Sequence, residues 1–220
     1  MKNLAENNRL RLAGKVISEP KFTYSFKDRN NNDYEEKFYE FELEVPRLSD
    51  ATDVIKCVIS EKILDGVTVD AFVDIKGQLR TNNEMVGEKN RLVVYSFIRD
   101  IEVITEEELK AIRNPNEINL SAFICKPPVY RETPNNREIS DLLLAVNRSY
   151  YKSDYIPAIA WGRNAKYVAK LPVGSNIKLT GRIQARQYIK KEIIDGVETP
   201  IQKTAYELSL NNVMLLNPAV

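Results

Sequence analysis

The chain contains no histidine among its 220 residues, and this absence removes several kinds of active site. Histidine is the usual general base near neutral pH, a frequent metal ligand and a member of most nucleophile triads. The two cysteines, Cys57 and Cys125, lie far apart and lack a CxxC neighbour, so neither a disulfide framework nor a zinc site is expected. We therefore expect a binding protein, not an enzyme, that needs no cofactor and no metal.

Glycine and long apolar runs are also scarce. The 8 glycines form neither GxGxxG nor GxxxxGKS/T, so the two familiar loops that bind nucleotide phosphates are missing. No apolar run approaches the ~18 residues of a membrane span, and the N-terminus MKNLAENNRL has no apolar signal segment. We expect a cytoplasmic protein that does not associate with a membrane. A nuclease that holds Mg²⁺ with carboxylates needs no histidine, and it remains a minor alternative.

The net charge of +1 conceals an uneven distribution along the chain. Residues 1–105 hold 16 Lys and Arg against 19 Asp and Glu, whereas residues 117–220 hold 14 against 9. The first part is therefore acidic and the second part basic. Opposite signs in two parts of a chain are expected when one part meets a polyanion and the other has a different task. Chance unevenness is the alternative explanation.

Alternating apolar and polar residues, typical of half-buried strands, recur in both halves of the chain. The pattern predicts five strands in each half, with a short helical segment between the third and the fourth. The first set is NRLRLAGKVI, KFYEFELEV, DVIKCVIS, FVDIKGQLR and RLVVYSFIRDIEVI, with the helical segment EKILDGV. The second set is NEINLSAFICKPPVY, REISDLLLAVNR, DYIPAIAW, NIKLTGRIQARQY and TAYELSLNNVMLL, with the helical segment RNAKYVAKL.

The two sets are copies of one unit at low identity. Asp53 in the first copy matches Asp154 in the second, and Gly77 matches Gly181. Between the copies, the acidic segment TEEELKAIRNPN ends near an Asn-Pro pair and predicts a linker. The chain is therefore a tandem duplication.

Five short strands with a helix between the third and fourth are the order of the OB-fold, a Greek-key barrel. We therefore predict an all-β chain of two tandem OB-folds, with a first domain over 1–105, a linker over 106–115 and a second domain over 116–220. An SH3-like barrel or a split sandwich has a similar number of strands, and the inter-strand helix favours the OB-fold. Fold alone does not give function.

The strand DYIPAIAW carries the only tryptophan of the chain. Alternation places Tyr155 and Trp161 on one face and the small apolar residues Ile156, Ala158 and Ala160 on the other. The small residues suit a barrel interior, which leaves the two rings for the outer face. The opposite orientation, with both rings in the core, is the alternative.

Cations surround these rings in sequence, and Tyr188 lies among the later ones. The candidate phosphate contacts are Arg148, Lys152, Arg163, Lys166, Arg182 and Arg186. Single-stranded nucleic acid is held by cations that follow its phosphates and by rings that stack on its bases, so this interleaving indicates a nucleic-acid groove.

The first half lacks these features at the matching positions. Val54 and Ser60 stand where the second half has Tyr155 and Trp161. The first half is therefore a doubtful nucleic-acid platform. Its own rings lie at Phe22, Tyr24 and Phe26, spaced by two, and in FYEF at 38–41, and they predict either sheet core or a surface between subunits.

The second half resembles the bacterial single-stranded DNA-binding protein family over nearly all of residues 116–216. The motifs AVNR, AWG, VGS and GRIQ occur here in the family's order, which is more specific than any one of them. The resemblance implies sequence-tolerant binding of single-stranded DNA in replication, recombination or repair. RNA is a second candidate ligand, because stacking does not read the 2′-hydroxyl. By position, the family's main stacking rings fall on Tyr150, Tyr155, Trp161 and Tyr188.

The first half is a more distant relative, similar to the family in its opening LAGKVISEPKF. Two OB-folds in one chain suggest, through the resemblance, a homodimer with four OB-folds. The sequence ends at MLLNPAV without the acidic tip usual in the family, so we expect an accessory, plasmid-borne or primosome-type role. The alternative function is an adaptor that acts mainly through protein contacts, with the acidic first domain as the contact.

Overall fold

The computed structural model describes residues 7–28, 31–49, 51–86, 89–148, 152–194 and 197–217. In the described first half the elements are β1 (Asn8–Val16), β2 (Lys21–Asp28), β3 (Asn31–Pro46), β4 (Thr52–Ser60), a 3₁₀ turn (Glu61–Ile63), β5 (Phe72–Val86) and β6 (Lys89–Ile104). In the second half they are α1 (Glu106–Ala111), β7 (Asn116–Ile124), β8 (Val129–Glu132), β9 (Glu138–Asn147), β10 (Ser153–Trp161), α2 (Arg163–Val168), β11 (Asn176–Ile194) and β12 (Val197–Asn217).

In each half, five strands close into a barrel. β1 pairs antiparallel with both β3 and β5, and the parallel pairing of β4 with β6 completes the ring. In the second half β7 pairs with β9 and β11, and β10 pairs parallel with β12. A 3₁₀ turn or a short helix lies between the third and fourth barrel strands. The prediction of an all-β chain with tandem OB-folds is confirmed.

Two further strands lie at the outer edges of the sheet: β2, which was not predicted, and β8, which was predicted in part as the end of one continuous strand with β7. β2 pairs with β3, and β8 pairs with β9. On β2, the side chains of Phe22, Tyr24 and Phe26 are 56%, 42% and 57% exposed. The interpretation as sheet core is therefore wrong for these three rings, because this edge strand turns them toward solvent, whereas it holds for Phe38 and Phe41, which are buried. Their use as a surface between subunits remains a prediction.

The apolar faces of the strands fill the barrel interiors. Leu43, Ile55 and Ile75 of the first barrel are fully buried, as are Leu144 and Ile156 of the second. Most buried apolar side chains of both halves form one continuous cluster, and Phe38, Val58 and Phe97 form a smaller one in the first half. The two barrels therefore pack as parts of one body.

Gly77 and Gly181 occupy equivalent positions where the backbone of a neighbouring strand passes very close. A Cβ atom at Gly77 would lie 2.3 Å from the carbonyl oxygen of Phe97, and one at Gly181 would lie 2.4 Å from that of Ser209. The strand register shifts directly before each glycine. A bulge with a close backbone approach explains why glycine stands at both positions.

Gly181→Ala should lower the free energy of unfolding by at least ~1–3 kcal/mol, because the new methyl group overlaps a backbone oxygen that cannot rotate away. The urea midpoint of the full chain measures this change. Lys178→Ala on the same strand is the control, since its exposed side chain should matter by less than ~0.5 kcal/mol. Equal midpoints for the two variants would contradict the close approach.

β1 and β7 join the two barrels into one sheet. They pair antiparallel, from Asn8 opposite Leu120 to Leu12 opposite Asn116. Because β1 and β7 are the equivalent strands of the two copies, this pairing relates the halves by an approximate two-fold axis.

Two ion pairs, one within each half, bind the backbone of a residue in the opposite half in matching ways, and we call them the crossed pairs. Arg47 binds Asp53 through two hydrogen bonds of 2.5 and 2.7 Å, and both residues also contact the backbone of Ala185, at 3.3 and 2.8 Å. Arg148 binds Asp154 through bonds of 2.5 and 2.6 Å, and both contact the backbone of Thr81, at 3.3 and 2.7 Å. Each half therefore holds a strand of the other.

The segment predicted as a linker contains α1. A capping box between Thr105 and Glu108 begins this helix, with each residue bonding the backbone of the other. We keep the boundaries 1–105, 106–115 and 116–220 as a proposal.

Candidate nucleic-acid interface

β10 presents its two rings on the outer face of the second barrel. Tyr155 is 49% exposed, whereas Ile156, Ala158 and Ala160 are at most 4% exposed and point into the core. Trp161 lies on the same face as Tyr155, half-buried, and its Nε1 donates a hydrogen bond of 3.1 Å to Ser209 Oγ. The alternative orientation, with both rings in the core, is therefore wrong.

Trp161 forms one wall of an open cavity of about 520 Å³ on this face. The other lining residues are polar or cationic with a single leucine: Arg137, Asn164, Arg182, Gln184, Ser209, Leu210 and Asn211. An indole beside two guanidinium groups and several amides offers a base one flat surface and many hydrogen-bond donors.

β11 continues the surface beyond the cavity. Gly181 and Ile183 point inward and are buried, so the alternate positions Arg182, Arg186 and Tyr188 share the outer side. The guanidinium carbon of Arg186 lies 5.7 Å from the centre of the Tyr188 ring. A cation beside a partly exposed ring can contact a phosphate next to a stacked base.

The predicted phosphate contacts differ in how freely they reach solvent. Arg163 and Lys152 are exposed, and neither has an ion-pair partner among the described residues. Lys166 pairs with Glu138 at 2.7 Å, and this hydrogen bond raises the pKa of Lys166 and lowers that of Glu138.

Arg182 and Arg186 lie near polar partners on the same face. Arg182 donates to Gln184 at 3.5 Å, and Arg186 lies 3.5 Å from the carboxylate of Glu207. Both contacts are long enough to exchange for a phosphate. These two arginines therefore stay available at the edge of the cavity and beside Tyr188.

Arg148 has a different role from the one its position in the sequence indicates. It belongs to the crossed pairs, where its guanidinium is occupied by the buried carboxylate of Asp154 and by the carbonyl of Thr81. The structure therefore uses Arg148 to join the halves, and a phosphate would have to compete with a buried anion. Tyr150 lies in segment 149–151, outside the described residues.

A sequence model of the single-strand binding protein family matches residues 115–216. The single-stranded DNA-binding protein 1 of Lactococcus lactis is 34% identical over 80 residues, which are 33% of this chain and 53% of that protein. The single-stranded DNA-binding protein A of Bacillus subtilis is 35% identical over 80 residues, which are 33% and 46% of the two chains. The second half of this chain is therefore a domain of the single-strand binding protein family. The chain spans about half the length of these curated relatives.

The fold of the whole chain is similar to that of a solved member of the family. The wild-type single-stranded DNA binding protein from Thermus aquaticus superposes with a TM-score of 0.70 over 97% of this chain and 94% of that chain, at 16% identity. At this identity the likeness concerns the fold alone. The similarity of fold includes the first half of the chain, which the family's sequence model does not reach.

At the place that matches the Trp161 cavity, the first half has a smaller cavity of about 220 Å³, lined among others by Glu36, Ser60 and Phe97. Ser60 occupies the position of Trp161, and Phe97 occupies the position of Ser209. The aromatic ring of the first copy therefore lies on β6, whereas that of the second copy lies on β10. Phe97 is only 6% exposed, and the guanidinium carbon of Arg80 lies 3.8 Å from its ring centre. An arginine thus covers the surface that a base would need.

Sequence reasoning missed Arg137, which lines the cavity beside Trp161. Its counterpart in the first copy is Glu36, which accepts a hydrogen bond of 2.6 Å from Ser60. The difference in charge between Glu36 and Arg137 is the signal in the sequence that could have identified Arg137 as a site residue. Both residues of this pair therefore differ between the copies: serine and glutamate in the first copy are tryptophan and arginine in the second.

Within the described residues, no group of three or more histidine, cysteine, aspartate or glutamate residues could hold a metal ion. Cys57 and Cys125 are both free, and burial raises the pKa of the Cys57 thiol. None of the helices in the described ranges is long and apolar enough to cross a membrane.

Arg148→Gln should lower the free energy of unfolding by ~3–5 kcal/mol, because it leaves the fully buried side chain of Asp154 without a counter-charge. Arg163→Gln removes an equal charge from an exposed position and should change stability by less than ~0.5 kcal/mol. Urea denaturation of both variants distinguishes a structural arginine from a surface one. A stable Arg148→Gln variant would return Arg148 to the phosphate contacts.

Proposed function

We propose that the second half of the chain binds single-stranded DNA with little sequence preference. The observation that carries this proposal is the pair of outward rings on β10, with Tyr155 49% exposed and Trp161 beside a cavity lined by Arg137 and Arg182. Bases stack on the two rings, and the arginines with Arg163 and Lys152 contact the phosphates. Tyr188 and Arg186 extend the same path along β11.

Physical chemistry favours this use of the surface. A half-exposed ring leaves apolar area in water, and a base that stacks on it contributes ~1–3 kcal/mol. Every base has a π-face, so such a surface accepts any sequence. Stacking and ion pairing are reversible contacts, and the proposed role therefore needs no catalytic step.

The net positive charge of the second half supports the choice of a polyanion. Cations that replace counterions on a single strand give binding that weakens with salt, by a log-log slope of about 0.7 for each phosphate contacted. Single-stranded DNA arises in replication, recombination and repair, and we place the protein in these processes, in the cytoplasm.

Trp161→Ala should weaken binding to a labelled oligo-dT by ~5- to 150-fold, because one stacking surface is lost. Fluorescence anisotropy at several salt concentrations measures the affinity and the salt slope. Ser60→Ala changes the matched position of the first copy and should leave the affinity unchanged. The same titration with oligo-U tests whether RNA is an equal ligand.

A wild-type chain that shows no salt-dependent binding to oligo-dT would refute the proposal. In that case the adaptor function becomes the better one, and a specific observation supports it. The exposed rings Phe22 and Phe26 lie on edge strand β2 of the acidic half, where another protein could contact them. A partner that is retained after nuclease treatment of a lysate would then be expected.

We also propose that two chains form a homodimer, so that the assembly carries four OB-folds. The tandem duplication and the resemblance to the family support this arrangement. Sedimentation velocity at micromolar concentration should give about twice the chain mass of 25.3 kDa. A single species of monomer mass that still binds oligo-dT would contradict the dimer and leave the DNA-binding proposal intact.

A further inference from the structure

Thr81, a residue of the first half, directs all its polar atoms to the second half. Its backbone N–H donates to Asp154 Oδ1 at 2.7 Å, and its carbonyl accepts from Arg148 at 3.3 Å. Its Oγ1 accepts a hydrogen bond of 3.1 Å from the backbone N–H of Tyr155 and lies 3.4 Å from Asp154 Oδ1, to which it can donate. The side chain is therefore fixed from both sides, and only 8% of the residue is exposed.

The matching residue on the other side of the approximate two-fold axis makes fewer contacts. Ala185 donates its N–H to Asp53 and accepts from Arg47, as Thr81 does with Asp154 and Arg148. Alanine has no hydroxyl, so the hydrogen bond that Thr81 Oγ1 accepts from Tyr155 has no counterpart at Ala185. The additional hydrogen bond is therefore made to the backbone of Tyr155, a proposed stacking residue. The residue that corresponds to Tyr155 in the first copy is Val54, which has no ring.

Tyr155 lies on a part of β10 that has few other restraints. β9 pairs with one side of the strand along its whole length. On the other side β12 pairs only at Ala158 and Ile159. β12 does not pair with β10 at Tyr155, and on this edge of the strand the backbone N–H of Tyr155 donates to Thr81 Oγ1 instead.

We propose that Thr81 positions Tyr155 for base stacking, so that the first half prepares the binding surface of the second. This inference rests on the proposed function. A ring held in its bound position before DNA arrives loses less conformational freedom on binding. Thr81 is thus a positioning residue that acts through the backbone of Tyr155 and touches no base.

Thr81→Ala gives the residue the side chain that Ala185 has in the other copy, and it removes the hydroxyl together with the γ-methyl group. We expect it to weaken binding of the full chain to labelled oligo-dT by about 2- to 10-fold, the effect of one hydrogen bond. Thr81→Ser keeps the hydroxyl and should bind like the wild type. The urea midpoint of each variant shows whether the fold is intact.

A pair of double-mutant cycles separates positioning from a general loss of structure. In the Tyr155→Ala background, Thr81→Ala should have almost no further effect on affinity, because the ring it positions is gone. In the Trp161→Ala background, it should still weaken binding by its full factor. Coupled effects of this kind are expected only between residues that act through one another.

Equal losses from Thr81→Ala in both backgrounds would overturn the inference while leaving DNA binding established. Failure of Thr81→Ser to restore affinity would also overturn it, since the hydroxyl would then not be the active group. Absence of binding by the wild-type chain would refute the proposed function, and the positioning role with it. Weak binding that Thr81→Ser restores, together with coupling to Tyr155 alone, supports the inference.

Discussion

Two carboxylates, Asp53 and Asp154, have no side-chain surface exposed to water. A buried carboxylate is tolerated only when an opposite charge and hydrogen bonds replace its hydration. Here the arginine comes from the same half, but a backbone N–H comes from the other half. Neither barrel can therefore satisfy its own aspartate completely, and this mutual requirement fixes how the two barrels sit on either side of the β1–β7 pairing.

The same requirement explains why sequence proximity is a poor guide to phosphate contacts. Arg148 is close in sequence to the rings of β10, yet its guanidinium is used inside the protein. Arg137 lies farther from the rings in sequence and reaches the cavity because β9 runs beside β10. The binding surface is thus a property of strand neighbours and not of one stretch of chain.

Alternation in the sequence was sufficient to predict the ten barrel strands and the outward side of Tyr155, because a half-buried strand must separate its apolar and polar residues. Edge strand β2 was not predicted although its rings alternate, and the exposed strand β8 was not separated from the predicted strand that precedes it. Contacts between residues that are distant in sequence were not predicted, for another reason. Thr81 and Asp154 are 73 positions apart, and no local pattern records that they touch.

The first copy arranges its ring and cation differently at the positions that match the Trp161 cavity. Phe97 lies where Ser209 lies in the second copy, and Arg80 covers its face at 3.8 Å. One fold thus holds a cavity of about 520 Å³ beside a tryptophan in the second copy and one of about 220 Å³ in the first.

The approximate two-fold axis relates residues that belong to one polypeptide. In an interface between identical subunits, every substitution appears on both sides of the axis at once. Here Thr81 and Ala185 occupy the two sides separately, so a mutation can alter one contact and spare the other. Two copies within one chain can therefore differ at matched positions, which two identical subunits cannot do.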